Sequence, residues 1–225
     1  MSNEKTKTSF QIRNAKTRKL VVCAMLIAIA VALSFVVIYH SPFGGSVTVL
    51  SMLPIVLIGY LYGVRWGFGS ALVFGILKIL VSMNTVSALF MPGDSQQIWW
   101  KAIIICLLDY VLAYAILGIS SLFRRIGKPS AALGVGALMP TKCRYIVHVV
   151  SGAIFYGEWA EWFFGELGET GADILAKYSG ASLSILYSAV YNAVYMLPEI
   201  ILTTVAAFII GAVPYITKQA DFDLK

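Results

Sequence analysis

The sequence predicts an all-α integral membrane protein with six transmembrane helices and cytoplasmic N- and C-termini. Three observations carry that prediction. Of the 225 residues, 59% are hydrophobic and only 12% are charged, whereas soluble domains carry roughly 25% charged residues. The apolar residues gather into six runs of about the length needed to cross a hydrocarbon core of ~30 Å. The basic residues, which give a net charge of +6, lie in the polar gaps between those runs, where membrane proteins keep their topology signals. They form no single patch, so nucleic acid is not the expected partner.

Residues 1–19 are a polar cytoplasmic segment with Lys5, Lys7, Arg13, Lys16, Arg18 and Lys19. With this stretch in front and no small-residue cleavage site behind, the first apolar run is not expected to be a signal peptide. The membrane domain covers 20–212. Its first run, 20–39, carries Ala24, Ala28 and Ala32 at four-residue spacing. Small residues on one stripe let a second helix approach closely. That helix belongs either to the same bundle or to a partner, and the spacing leaves both open.

The stretch His40 to Ser46, with one Pro and two Gly, should turn the chain. The second run, 47–62, is short and interrupted by Pro54, so a tilted or kinked span is expected. Arg65 follows in a tight turn. The third run, 66–82, has Lys78 in its last turn, placed to snorkel to the interface. Residues 83–98 read as a loop around Pro92-Gly93-Asp94.

Trp99 and Trp100 open the fourth run, 99–123, as an interfacial aromatic belt. Asp109 and Tyr110 lie near its middle. After Arg124, Arg125 and Lys128 comes the fifth run, 131–157, with Pro140 as an expected kink. A long acidic and aromatic loop spans 158–181. The sixth run, 182–212, contains Pro198-Glu199, and 213–225 form a polar cytoplasmic tail. Cys23, Cys106 and Cys143 have no metal-type spacing and read as small buried hydrophobes.

With the N-terminus inside, the cytoplasmic segments hold the six basic residues of 1–19 together with Arg65, Arg124, Arg125, Lys128, Lys218 and Lys225. The external loops hold only Lys177. That bias sets the orientation.

The fifth run carries the chemistry. Arg144, His148, Gly152 and Tyr156 fall at i, i+4, i+8 and i+12, which places them on one slowly drifting helix face. Ionisable groups in a bilayer are costly and usually face a bundle interior or a watery cavity. The rise of ~1.5 Å per residue puts His148 roughly 13 Å and Arg144 roughly 19 Å below the outer end of this helix. It puts Asp109 roughly 15 Å down the fourth, and Tyr187 and Asn192 roughly 8 and 15 Å down the sixth. Three helices thus bring their polar groups to one depth. Either they line a pocket open to the outside, or they staple the helices together, with Arg144 and Asp109 as a buried ion pair.

No G-x-x-x-x-G-K-[ST] phosphate loop, H-E-x-x-H motif or Ser-His-Asp set is present, and two histidines are few for a metal site. No enzymatic activity, cofactor or metal is expected.

The segments RYIVHVVSGAIFYG (from Arg144) and LYSAVYNAVYMLPE (Leu186 to Glu199), on the fifth and sixth of six helices, resemble the thiamine-specific substrate-binding (S) component of energy-coupling factor (ECF) vitamin transporters. The resemblance covers about residues 20 to 212. It implies a multi-pass protein of the bacterial cell membrane that binds thiamine, or a thiamine derivative, from outside. Transport would then run through a transmembrane coupling (T) component and two ATP-binding subunits.

The resemblance also assigns the binding residues Asp109, Tyr110, Arg144, His148, Gly152, Tyr156, Tyr187 and Asn192. It makes Ala24, Ala28 and Ala32 the docking stripe for the T component. Asp109, Arg144 and Tyr156 stand where the family more often has Glu, Lys and Trp. Of a pocket-closing Trp in the first external loop, this chain offers only Tyr39, His40 and Phe43.

On that reading Tyr156 stacks on a ring of the ligand, with cation–π attraction to the thiazolium. Tyr187, Asn192 and His148 hydrogen-bond its polar edges, and Asp109 balances its charge. Gly152 admits a ring to the helix backbone. Arg144 either pairs with Asp109 or marks space for a phosphorylated form. Two rivals remain at this point: a stand-alone carrier coupled to protons through Asp109 and His148, and a membrane subunit whose polar residues only staple helices.

Overall fold

The computed structural model describes residues 2–41 and 44–221, with side chains over 15–41 and 44–220. Phe43, Lys225 and the side chains of Lys5, Lys7 and Arg13 lie outside the described residues.

The chain is built of helices, with one small hairpin. Helix α1 (Ser2–Ser34) leads into strands β1 (Val37–His40) and β2 (Ser46–Thr48), paired antiparallel, and then α2 (Leu53–Tyr62), α3 (Val64–Val81) and the short α4 (Met83–Ala88). Helix α5 (Trp99–Phe123) changes its winding along its length. The long α6 (Pro129–Phe155) follows, then the short α7 (Ala160–Gly165) and α8 (Gly168–Lys177), the long α9 (Gly180–Gly211) and α10 (Pro214–Asp221).

Four of these helices, Ala15–Ser34, Val64–Val81, Trp99–Phe123 and Gly180–Gly211, are long and apolar enough to cross a membrane. Helix α6 has the length, 27 residues or about 40 Å. It carries Lys142, Arg144 and His148, however, and is not among the four. Ile146, Val150 and Ile154 are exposed on α6 at four-residue spacing, offset from the polar stripe, as expected of a helix with one lipid-facing side.

Three expectations change. The run 47–62 is not one helix: it divides into β2 and a ten-residue α2 that spans only about 15 Å. Leu50 sits between them at φ 59°, a left-handed backbone that few non-glycine residues adopt. The first run, read as helical to 39, ends its helix at Ser34 and goes on as β1. The stretches read as loops over 83–98 and 158–181 contain α4, α7 and α8. Of the cysteines only Cys23 is buried, and Cys106 and Cys143 are half-buried.

Close packing is set by small residues. A Cβ on Gly67 would meet the Gly59 backbone at 2.9 Å, and one on Gly211 would meet Ser130 Cα at 2.6 Å. One apolar cluster joins α1, α2, α3 and α5 around Met52, Phe74 and Leu117. A second joins α2, α6, α9 and α10 around Val56, Leu133 and Ala207. Three smaller clusters include Tyr195, Tyr187 and Ile105 respectively.

Candidate binding site

Tyr195, Tyr187 and Ile105 line a cavity of about 470 Å³, within the 300–1,000 Å³ usual for small-molecule sites. Its wall comes from α3, α4, the middle of α5, the second half of α6, α9 and the hairpin. Asp109, Tyr110, Arg144, His148, Gly152, Tyr156, Tyr187 and Asn192 all line it. Three helices contribute because their polar groups lie at matching heights in alternating chain directions.

The winding of α5 changes where it meets the cavity. Residues Leu107–Leu112 form a π-helical segment and Ile116–Phe123 a 3-10 segment. A π turn closes five residues apart and is frequent at functional sites. Asp109, Tyr110 and Tyr114 all line the cavity along this stretch.

Asp109 Oδ1 lies 3.0 Å from His148 Nδ1, and Ser151 Oγ donates to Asp109 Oδ2 at 3.0 Å. An ionised carboxylate only accepts, so Nδ1 carries the proton in this pair. His148 Nε2 is then buried and has no hydrogen-bond partner among the described residues, and in the neutral ring it is an acceptor.

The Arg144–Asp109 ion pair, one of the two alternatives the sequence left open, does not form. Arg144 instead faces Glu199, with Nη1 3.9 Å from Oε2. It also donates from Nη2 to the Tyr114 hydroxyl at 3.0 Å and from Nη1 to Met52 Sδ at 3.0 Å. Its Cζ stands 4.2 Å from the centre of the Tyr114 ring, within cation–π range. Asp109 is committed to His148 and Ser151, which removes the reason for Arg144 to reach it.

Asn192 serves two purposes. It lines the cavity, and it also staples helices: Nδ2 donates to Ser188 O at 2.8 Å and to His148 O at 3.4 Å, while Oδ1 accepts from the Tyr195 hydroxyl. Gly152 also has a packing role beside its place in the cavity wall. A Cβ there would collide with Ser188 Oγ and approach Asn192 Nδ2 to 3.2 Å. The bare position admits α9 close to α6. Tyr187 is buried edge-on against Phe163, 5.2 Å between centroids, and Tyr156 sits at the end of α6.

Lys78 does not snorkel. It is 5% exposed and lines the cavity, its ammonium 5.8 Å from the Tyr114 ring centre. It continues the buried stripe Gly67, Ala71, Phe74 and Gly75 of α3, and that register was the available signal. Glu199 also escaped notice as a cavity residue, although Tyr187, Tyr191, Tyr195 and Glu199 repeat on α9 the four-residue spacing of the α6 stripe. Tyr114 follows Tyr110 at the same spacing, and only the hairpin had no such signal. Ala24, Ala28 and Ala32 are all exposed on α1, so they do not pack within this bundle. No cluster of three or more potential metal ligands occurs among the described residues.

The sequence model of the family described as Thiamine transporter protein (Thia_YuaJ) matches residues 20–162. The match holds six of the eight lining residues and stops before α9. The thiamine transporter ThiT of Bacillus subtilis (strain 168) is 30% identical to the chain, over 83% of the chain and 86% of that protein. A solved structure of ThiT from Listeria monocytogenes superposes with a TM-score of 0.63, covering 90% of this chain and 98% of that one. At 20% identity this likeness establishes a shared fold.

Proposed function

The chain belongs to the thiamine transporter protein family (Thia_YuaJ), and from that membership we propose that its cavity is the thiamine site of an uptake system. The protein is a multi-pass membrane protein of thiamine uptake, and its relatives are named as transporters rather than enzymes. The observation that carries the cavity assignment is the convergence of α5, α6 and α9 polar groups on one cavity.

The lining suits thiamine, a flat aminopyrimidine joined to a cationic thiazolium. Six tyrosines, 110, 114, 156, 187, 191 and 195, offer ring faces and hydroxyls. Asp109 supplies a negative charge, and His148 Nε2 a buried acceptor in need of a donor. Asn192 and Tyr187 add polar contacts on the α9 side. Arg144 on α6, facing Glu199, and Lys78 on α3 add cations to the wall.

The same reading extends to coupling. The chain has no phosphate-binding loop of its own, so uptake draws on a T component and two ATP-binding subunits in a bacterial cell membrane. Ala24, Ala28 and Ala32, exposed on α1, are the docking stripe. Six spans with both termini inside agree with the charge bias. A proton-coupled carrier is the second reading, favoured by the Asp109–His148 pair.

Calorimetric titration of the purified chain with thiamine, its phosphates and riboflavin tests the site. Saturable submicromolar thiamine binding without a riboflavin response is expected, and a flat thiamine trace from folded protein removes the assignment. Proteoliposomes holding this chain alone separate the two transport readings: accumulation driven by a pH gradient would establish the carrier.

A further inference from the structure

Glu199 lies on α9, one residue past Pro198, and is 3% exposed. Its carboxylate serves two parts of the molecule. Oε1 accepts from the backbone N–H of Thr48 and, at 2.6 Å, from Thr48 Oγ1. Oε2 faces the Arg144 guanidinium at 3.9 Å. Thr48 ends β2, and its hydroxyl also lies 2.7 Å from Ser51 Oγ, where the hairpin turns into α2. Arg144 stands in the cavity wall on α6, and Glu199 is its sole carboxylate partner among the described residues.

A buried carboxylate is costly unless it is paired and hydrogen-bonded. Glu199 is both, but through groups that no hydrogen bond joins to each other among the described residues. The hairpin lines the cavity and also meets α9 through uncharged contacts. Tyr191 donates its hydroxyl to Gly44 O at 3.0 Å, and a Cβ on Gly45 would run into the Tyr195 ring. Val47 packs in one apolar cluster with Met196 and Ile200 of α9 and Leu138 and Tyr145 of α6. The contact at Glu199 is the charged one: it links the hairpin root to the Arg144 guanidinium, which also donates to Met52 at the start of α2.

We propose that Glu199 is a positioning residue of the ligand site. It holds the hairpin root and the Arg144 guanidinium with one carboxylate, so that the time a ligand stays bound depends on it through those two groups. The proposal rests on the reading of this cavity as the thiamine site.

The test uses the full chain in detergent and two readouts. In stopped-flow binding of thiamine, Glu199→Ala should raise the dissociation rate at least tenfold and change the association rate less than threefold. Thr48→Val should raise dissociation about threefold in the wild type and not at all beside Glu199→Ala. Glu199→Gln, which keeps an acceptor for Thr48 and loses the charge, guards against a variant that fails to fold.

The second readout needs no ligand: amide exchange of residues 37–48. Arg144→Met should speed it in the wild type and add nothing beside Glu199→Gln. Equal effects of Thr48→Val or of Arg144→Met in both backgrounds would overturn the shared anchor. A wild-type chain that bound no thiamine would remove the reading of the cavity, and the exchange result would still decide for or against Glu199.

Discussion

His148 and Asp109 are joined through Nδ1 and Oδ1 at 3.0 Å, which leaves His148 Nε2 buried and, among the described residues, unpartnered. The carboxylate fixes the tautomer and the ring orientation, and so fixes what the cavity offers a ligand.

Asp109→Asn should therefore weaken thiamine binding on two counts. It removes the charge that balances the thiazolium, and it relaxes the choice of which imidazole nitrogen carries the proton. Hydrogen bonds to charged groups are worth about 1.5–3 kcal/mol, so calorimetry should show a loss of roughly ten- to a hundredfold. His148→Ala and Asn192→Ala should each cost at least tenfold. Unchanged affinity in both would remove the pocket.

Gly152→Ala should act through helix packing. The added methyl meets Ser188 Oγ, and overpacking costs about 1–3 kcal/mol. A lower melting temperature and weaker binding are expected together. Ser188→Gly in the same chain should restore much of both. A single variant that melts and binds like wild type would contradict the close α6–α9 approach.

Lys78→Met separates the charge requirement of the site from its shape. Removing a cation favours a cationic ligand and disfavours an anionic one. At about 8 Å and an effective dielectric constant of 20, a unit charge is worth about 2 kcal/mol. The ratio of thiamine to thiamine monophosphate affinity should rise at least fivefold. Because a buried ammonium is costly to desolvate, the ligand-free variant should melt no lower than wild type.

Ala28→Leu tests docking apart from binding. Ala28 is exposed on α1 and does not line the cavity. Thiamine affinity of the isolated chain should stay within twofold of wild type, while uptake by the assembled transporter in cells falls at least tenfold. Equal loss of both would place the stripe in folding rather than docking.

Much of the cavity wall was legible because its residues violate the rule for lipid-facing helices. An arginine, a histidine and an aspartate inside apolar runs stand out in one dimension, and helical spacing states which of them share a face. Lys78 and Glu199 were harder to place. A lone lysine near a helix end snorkels in most settings, and only the buried stripe it continues argues otherwise. The hairpin was hidden within two apolar runs because β-branched residues such as Val37 and Val47 suit strand and buried helix alike.

The sequence by itself determined a helical membrane protein, the polar stripes on its helices and the family they point to, because composition and periodicity are properties of the chain alone. The tertiary structure alone decided the partners. Arg144 meets Glu199 rather than Asp109, and Gly152 yields its space to Ser188. Both depend on how helices sit against each other, and that is fixed by close packing across distant segments. Spacing along one helix cannot carry that information.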